Sequence, residues 1–174
     1  MTFREAQADD VDVVHALVQA AFRGDASRAG WTTEADLLDG QRTDPEALAE
    51  IIVSETGALL LAEDGGEIAA CCHLERRADA TAYLGMLSVG PTLQGAGVGR
   101  ALLAEAERRA TAFGARRMRM TVIRQRTELI EWYERRGYHR TGETQPFPYG
   151  DERFGLPKVD DLEFVVLEKP LAVG

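Results

Sequence analysis

The residues Gln94-Gly95-Ala96-Gly97-Val98-Gly99-Arg100 carry the most readable chemistry in the chain. An almost unbroken apolar run, Tyr83 to Val89, precedes them, and the helical pattern Ala101, Leu102, Leu103, Ala106 follows. A strand, a glycine-rich loop and a helix N-terminus in that order make an anion seat. Loop N–H groups converge, the helix dipole favours negative charge, and glycine removes the side chains that would block approach. A phosphate-bearing ligand is therefore expected here, against the plainer alternative of a tight turn. Two familiar phosphate loops do not fit. A P-loop closes on lysine and a hydroxyl residue, and this loop has neither. A dinucleotide fingerprint needs a third glycine where Arg100 stands.

A second group, Trp132-Tyr133-Glu134-Arg135-Arg136-Gly137-Tyr138, closes a short helical pattern that begins at Thr127. Together the two stretches carry a resemblance. Gln94, Gly97 and Gly99 form Q-x-x-G-x-G after the strand end Leu87-Ser88-Val89, and Tyr133 sits just before a glycine and an aromatic residue. This resembles the GCN5-related N-acetyltransferases over roughly residues 81–143. Family members often have an asparagine seven residues before the tyrosine; here that position is Arg126.

The resemblance implies an α+β fold: one mixed, mostly antiparallel sheet of six to seven strands, helices on both faces, and a splayed parallel strand pair at the centre. It implies acetyl-CoA as cosubstrate, no metal, and acetyl transfer by direct attack of an amine. Leu87, Ser88, Val89, Gln94, Gly95, Ala96, Gly97, Val98, Gly99 and Arg100 are then the cofactor-binding residues. The strand before the loop would hold the pantetheine arm like an added strand, and a backbone N–H near Leu87 would stabilise an oxyanion. Gly85 suits a bulge or a close backbone approach, or simply a small residue under a helix.

By match to the family motif, Tyr133 is the general acid. A phenol titrating at about 10 can relay a proton to a thiolate whose thiol titrates at about 8.5. Its other reading is a core tyrosine with a hydrogen-bonded hydroxyl. Glu34 and Glu75 are the candidate bases, read against a first-turn carboxylate serving its own helix and a solvated strand-end charge. Trp31, Glu34, Phe147 and Tyr149 are expected to line the acceptor side, because long aromatic-rich loops are usually functional. Arg100 either pairs with phosphate or is solvated.

These groups need elements to hold them. A chain of 174 residues suits a single domain over residues 1–174. The reading in order is a strand over 2–7, then a helix with the stripe Val13, Val14, Leu17, Val18, Ala21, Phe22. Two further helices are expected over 33–41 and 44–54, the second capped by Asp44 with Pro45 in its first turn and stopped near Gly57. Strands over 58–63 and 67–76 flank Asp64-Gly65-Gly66, a hairpin signal. A helix over 97–113, a strand over 117–123 parallel to the central one, a helix over 127–136, and strands over 138–143 and 162–169 complete the sheet.

A formal net charge of −9 argues against a nucleic-acid binder. No apolar run is long enough to span a membrane and the first residues lack a signal-peptide segment, so a cytoplasmic protein is expected. Adjacent Cys71 and Cys72 suit packing in a reducing compartment. His15, His73 and His139 show no metal-ligand spacing. The arginine clusters, Arg135-Arg136 included, read as solvated faces. The expected partner is a small-molecule amine, and the resemblance is compatible with a homodimer. The rival reading is a catalytically silent acyl-CoA sensor on the same fold; a nucleotide-binding domain is a third.

Overall fold

In the computed structural model, which describes residues 1–23, 27–28, 32–153 and 155–172, seven strands form one sheet. They are β1 (Thr2–Glu5), β3 (Gly57–Asp64), β4 (Glu67–Arg77), β5 (Thr81–Val89), β6 (Arg117–Ile123), β7 (His139–Pro146) and β9 (Glu163–Pro170), in the spatial order β1-β3-β4-β5-β6-β9-β7. All neighbours are antiparallel except β5 and β6. Two further short strands, β2 (Leu38–Asp39) and β8 (Leu156–Pro157), pair with each other beside the sheet.

Helices cover both faces. On one face, α1 (Val11–Phe22) and α2 (Pro45–Val53) bury Val14, Val18 and Leu48 against Leu59, Leu61 and Cys71. On the other, α3 (Val98–Ala112) and α4 (Thr127–Glu134) bury Leu102, Ala106 and Ile130 against Cys72, Met118 and Leu167. Adjacent cysteines thus face opposite layers, as strand alternation requires. Capping behaves as the sequence indicates at α2, where Asp44 accepts a hydrogen bond from Ala47 N at 2.8 Å and Pro45 opens the helix.

Three local expectations fail. The helix expected over 33–41 is one turn followed by β2. Leu37 N and Leu38 N both donate to Glu34 O at 2.9 Å, and then Leu38 and Asp39 pair with Pro157 and Leu156. Tertiary pairing and the left-handed Gly40 (φ +76°) override helix propensity there. Gly57 does not stop α2. The chain leaves that helix at Ser54 in an extended conformation, and Gly57 opens β3. Val13, placed in the apolar stripe of α1, is 53% exposed.

The centre of the sheet is what positions the site. β5 and β6 pair only through Thr81–Arg117, Ala82–Met118 and Tyr83–Arg119, after which no β6 residue partners β5. On its other edge β5 carries a bulge. His73 pairs with Gly85 and Cys71 with Ser88, so Met86 and Leu87 together oppose Cys72. Met86 takes a left-handed φ of +57°. Its carbonyl accepts the Ser88 hydroxyl at 2.8 Å. The bulge reverses the facing of the strand: Leu84 packs into the α3–α4 layer, Met86 into the α1–α2 layer, and Leu87 and Val89 return to the α3–α4 side. Gly85 is not itself the extra residue. A Cβ there would lie 2.9 Å from the Tyr83 ring, so glycine leaves room for that ring.

Candidate active site

Where β5 leaves β6, two cavities open on either side of the gap. The larger, about 550 Å³, is lined by Gln94, Gly97, Gly99, Arg100 and Trp132 among others. The smaller, about 280 Å³, is lined by Glu34, Arg42, Tyr83, Arg126, Phe147 and their neighbours. Leu87, Leu129 and Tyr133 belong to both walls. The two cavities therefore meet at Tyr133.

The loop side forms as follows. Gly95 and Gly97 take φ of +87° and +83°, and a Cβ on either would project into open space within the cavity mouth. Ala101 N is the first loop-to-helix donor, reaching Gly97 O at 3.0 Å. The N–H groups of Val98, Gly99 and Arg100 thus lie in the first turn of α3, where no earlier helical carbonyl can accept them. Gln94 Nε2 donates to Val89 O at 3.2 Å, tying the loop to the strand end. Val98 and Ser88 turn their side chains into the protein. Arg100, Arg135 and Arg136 line the same cavity, and among the described residues no carboxylate pairs with any of them. Arg136 lies over the Trp132 ring at 3.8 Å, and burial together with Arg135 and Arg100 pulls its pKa down. Arg136 is thus not simply a solvated charge, whereas Arg135 is exposed. Glycine cradle, unpaired N–H groups and uncompensated cations fit a polyphosphate.

Tyr133 sits on the inner face of α4, 5% exposed, with its ring edge-on to Trp132 and Tyr138. Its hydroxyl has no hydrogen-bond partner among the described residues, unlike a tyrosine that merely fills a core. Burial raises its pKa above the usual phenol value, with the nearby Arg126 cation opposing that rise. The phenol stays protonated at neutral pH.

Glu34 is 4% exposed and forms ion pairs with both Arg23 and Arg126, the latter at 3.2 Å. Arg126 also donates to Thr32 Oγ1 at 3.0 Å. The arginine at the family's asparagine position therefore ties the start of α4 to the segment 32–34. Glu75 lines neither cavity; it lies near His73 Nε2 (3.8 Å) and Arg77 Nε (3.4 Å). Phe147 lines the smaller cavity. Tyr149 does not. Its hydroxyl donates to Val159 O at 2.8 Å and accepts from Leu162 N at 2.9 Å, bracing the loop that carries Phe147. Trp31 lies outside the described residues. Cys71 and Cys72 are fully buried and line neither cavity; burial pushes the Cys71 thiol up to about 12.

Sequence reasoning passed over Arg42 and Tyr83, which the structure puts in the smaller cavity; Asp151 belongs to the aromatic-rich loop expected there, and Leu129 to the short helix that carries Tyr133. Tyr83 opens the strand that leads to the glycine loop, whereas Arg42 comes from a loop with no motif to flag it.

A family model described as acetyltransferase (GNAT) family matches residues 25–138. The chain belongs to the GNAT acetyltransferase family. It is accordingly an acyltransferase, and its solved relatives share the fold. The ribosomal-protein-S18-alanine N-acetyltransferase from Escherichia coli superposes with a TM-score of 0.73 at 16% identity, covering 99% of this chain and 95% of that one. The ribosomal-protein-alanine N-acetyltransferase from Brucella melitensis gives 0.72 at 18% identity, covering 98% of this chain and 100% of that one. An N-acetyltransferase from Staphylococcus aureus Mu50 gives 0.72 at 17%, covering 98% of each chain. A comparison with curated protein sequences finds no match. Among the described residues of this GNAT chain, no helix is long and apolar enough to cross a membrane.

Proposed function

We propose that this GNAT protein is an acetyl-CoA-dependent N-acetyltransferase, a single domain over residues 1–174 acting in the cytoplasm on the amine of a small acceptor. The observation that carries the reading is the Tyr133 hydroxyl, unpartnered among the described residues and set in the wall that both cavities share. Bound in the larger cavity, acetyl-CoA would supply an acetyl group activated as a thioester.

The chain's own residues have four tasks. The first-turn N–H groups of α3 and the arginines 100, 135 and 136 hold phosphate charge. The edge of β5 beyond Tyr83, which β6 leaves unpaired, offers main-chain groups to an extended arm. Leu87, turned into the gap by the bulge, brings its backbone to the point where negative charge would develop. Tyr133 Oη keeps a proton there for the departing sulfur, because burial holds the phenol in its acid form. Glu34, already satisfied by two guanidinium groups, is assigned to holding Arg23 and Arg126 rather than to accepting a proton. The amine loses its proton to solvent through the mouth of the smaller cavity, where Asp151 stands exposed.

The test is release of free thiol from acetyl-CoA across a panel of amines, with acetylated product identified by mass. Turnover with at least one primary amine is expected. Coenzyme A binding with no product across the panel would replace this reading with the silent sensor.

A further inference from the structure

The smaller cavity holds more positive charge than its own carboxylates neutralise. Three arginines line it, Arg23, Arg42 and Arg126, against two carboxylates, Glu34 and the exposed Asp151. Glu34 pairs with two of them, Arg23 and Arg126. Arg42 has no such partner. Among the described residues its guanidinium makes no hydrogen bond and no ion pair, and its one side-chain contact of note is the Phe22 ring, 5.2 Å away. The same ring has Arg126 at 5.5 Å, so two cations lie near one aromatic ring. The Arg42 backbone is fixed, because its N–H donates to Gln19 Oε1 at 3.2 Å. The side chain is half-buried, and burial and the neighbouring Arg126 cation pull its pKa down, with Tyr83 opposing. Removing a guanidinium from water without a counter-charge is costly, and a bound anion offsets that cost.

We infer that the acceptor carries a carboxylate as well as its amine, and that Arg42 receives the carboxylate. This rests on the N-acetyltransferase reading and narrows its substrate class to small amino acids and their close relatives. A guanidinium matches a carboxylate with two parallel hydrogen bonds, which fixes the acceptor's orientation. Tyr133 lines the same cavity, so the two ends of such an acceptor can address Arg42 and the reacting centre together. At about 280 Å³ the cavity lies just below the roughly 300–1,000 Å³ of sites for drug-sized ligands, which suits a compact acceptor. A polyamine would set an ammonium group against Arg42 and is selected against. The overall charge of −9 points the other way, but Arg42 acts at contact distance and the distant charges are screened.

The test measures binding, so it does not depend on turnover. With coenzyme A at saturation, calorimetry would compare N-acetyl amino acids from small to aromatic with their primary amides, on the wild type and on Arg42→Gln and Arg42→Lys. At least one carboxylate should bind wild type at least about tenfold more tightly than its amide. Arg42→Gln should erase that preference, and Arg42→Lys should keep part of it. Unchanged coenzyme A affinity and melting temperature would show that the variants are folded. Equal binding of carboxylates and amides, no binding of either, or a preference that survives Arg42→Gln would overturn the inference. Thiol release with the parent amino acids, their amides and the decarboxylated amines runs separately. Turnover of the decarboxylated amines alone would sink the carboxylate while leaving the acetyltransferase reading intact.

Discussion

Arg126 and Glu34, separated by 92 positions in the chain, meet at 3.2 Å in the wall of the smaller cavity. With Arg23 on the other carboxylate oxygen, the pair fastens α4, and hence Tyr133, to the segment after α1. Charges this deeply buried are costly to separate, because the survivor is left without compensation. Glu34→Ala should therefore destabilise the protein by about 3–5 kcal/mol, measured by urea denaturation. The double variant Glu34→Leu/Arg126→Met should lose less than the sum of its single changes. Simple additivity would mean the pair is not coupled.

Tyr133→Phe removes one oxygen from the junction of the cavities and little packing. Loss of a positioned proton donor costs about 100-fold or more. Steady-state thiol release should show kcat reduced by that factor, with the KM for acetyl-CoA nearly unchanged.

The pH profile follows from the same residue. Its pKa is raised by burial above the ordinary phenol value of about 10. A raised group keeps its proton until pH passes the raised value. So kcat should climb as the acceptor amine deprotonates and show no alkaline decline up to about pH 10. A fall below pH 9 in wild type, absent from Tyr133→Phe, would contradict the assigned environment.

Gly97 occupies φ +83° at the start of α3. Alanine there costs about 1–2 kcal/mol in backbone strain and displaces the N–H groups behind it. Calorimetry with coenzyme A should find affinity for Gly97→Ala reduced about tenfold or more.

Asp44 titrates at about 2, lowered chiefly by Arg153, whose Nε lies 2.6 Å away, and also by Ala47 N. A depressed carboxylate stabilises the fold above its unfolded pKa of about 3.9 and loses that contribution as pH falls toward the folded value. The wild-type melting temperature should drop between about pH 5 and pH 2 more steeply than that of Asp44→Asn.

Local patterns made much of this legible. The glycines of residues 95–99 mark the turn into α3, where Gly95 and Gly97 are left-handed, and Asp44-Pro45 marks a helix start. The wedge between β5 and β6 entered through family resemblance, since pairing that stops at Tyr83 leaves no mark in hydrophobic alternation. Glycine type points to Gly85 as a bulge, a close approach or a small residue under a helix, whereas Met86 carries the strain with its carbonyl held by Ser88. The segment after α1 defeated a propensity argument because Leu38 and Asp39 pair with Pro157 and Leu156 and Gly40 turns left-handed. Arg42 lies in a loop with no motif, and a guanidinium's lack of a partner leaves no mark in a sequence.

Because Met86 is the surplus residue opposite Cys72, the side of the sheet to which Leu87 and Val89 turn depends on how many residues β5 contains. A one-residue deletion between Gly85 and Ser88 would restore even alternation and rotate the strand's end by half a turn about its axis. The wall of the larger cavity would then be built from whatever had faced the opposite layer. Homologues should accordingly accept exchanges of side chain in this stretch far more readily than any change in its length.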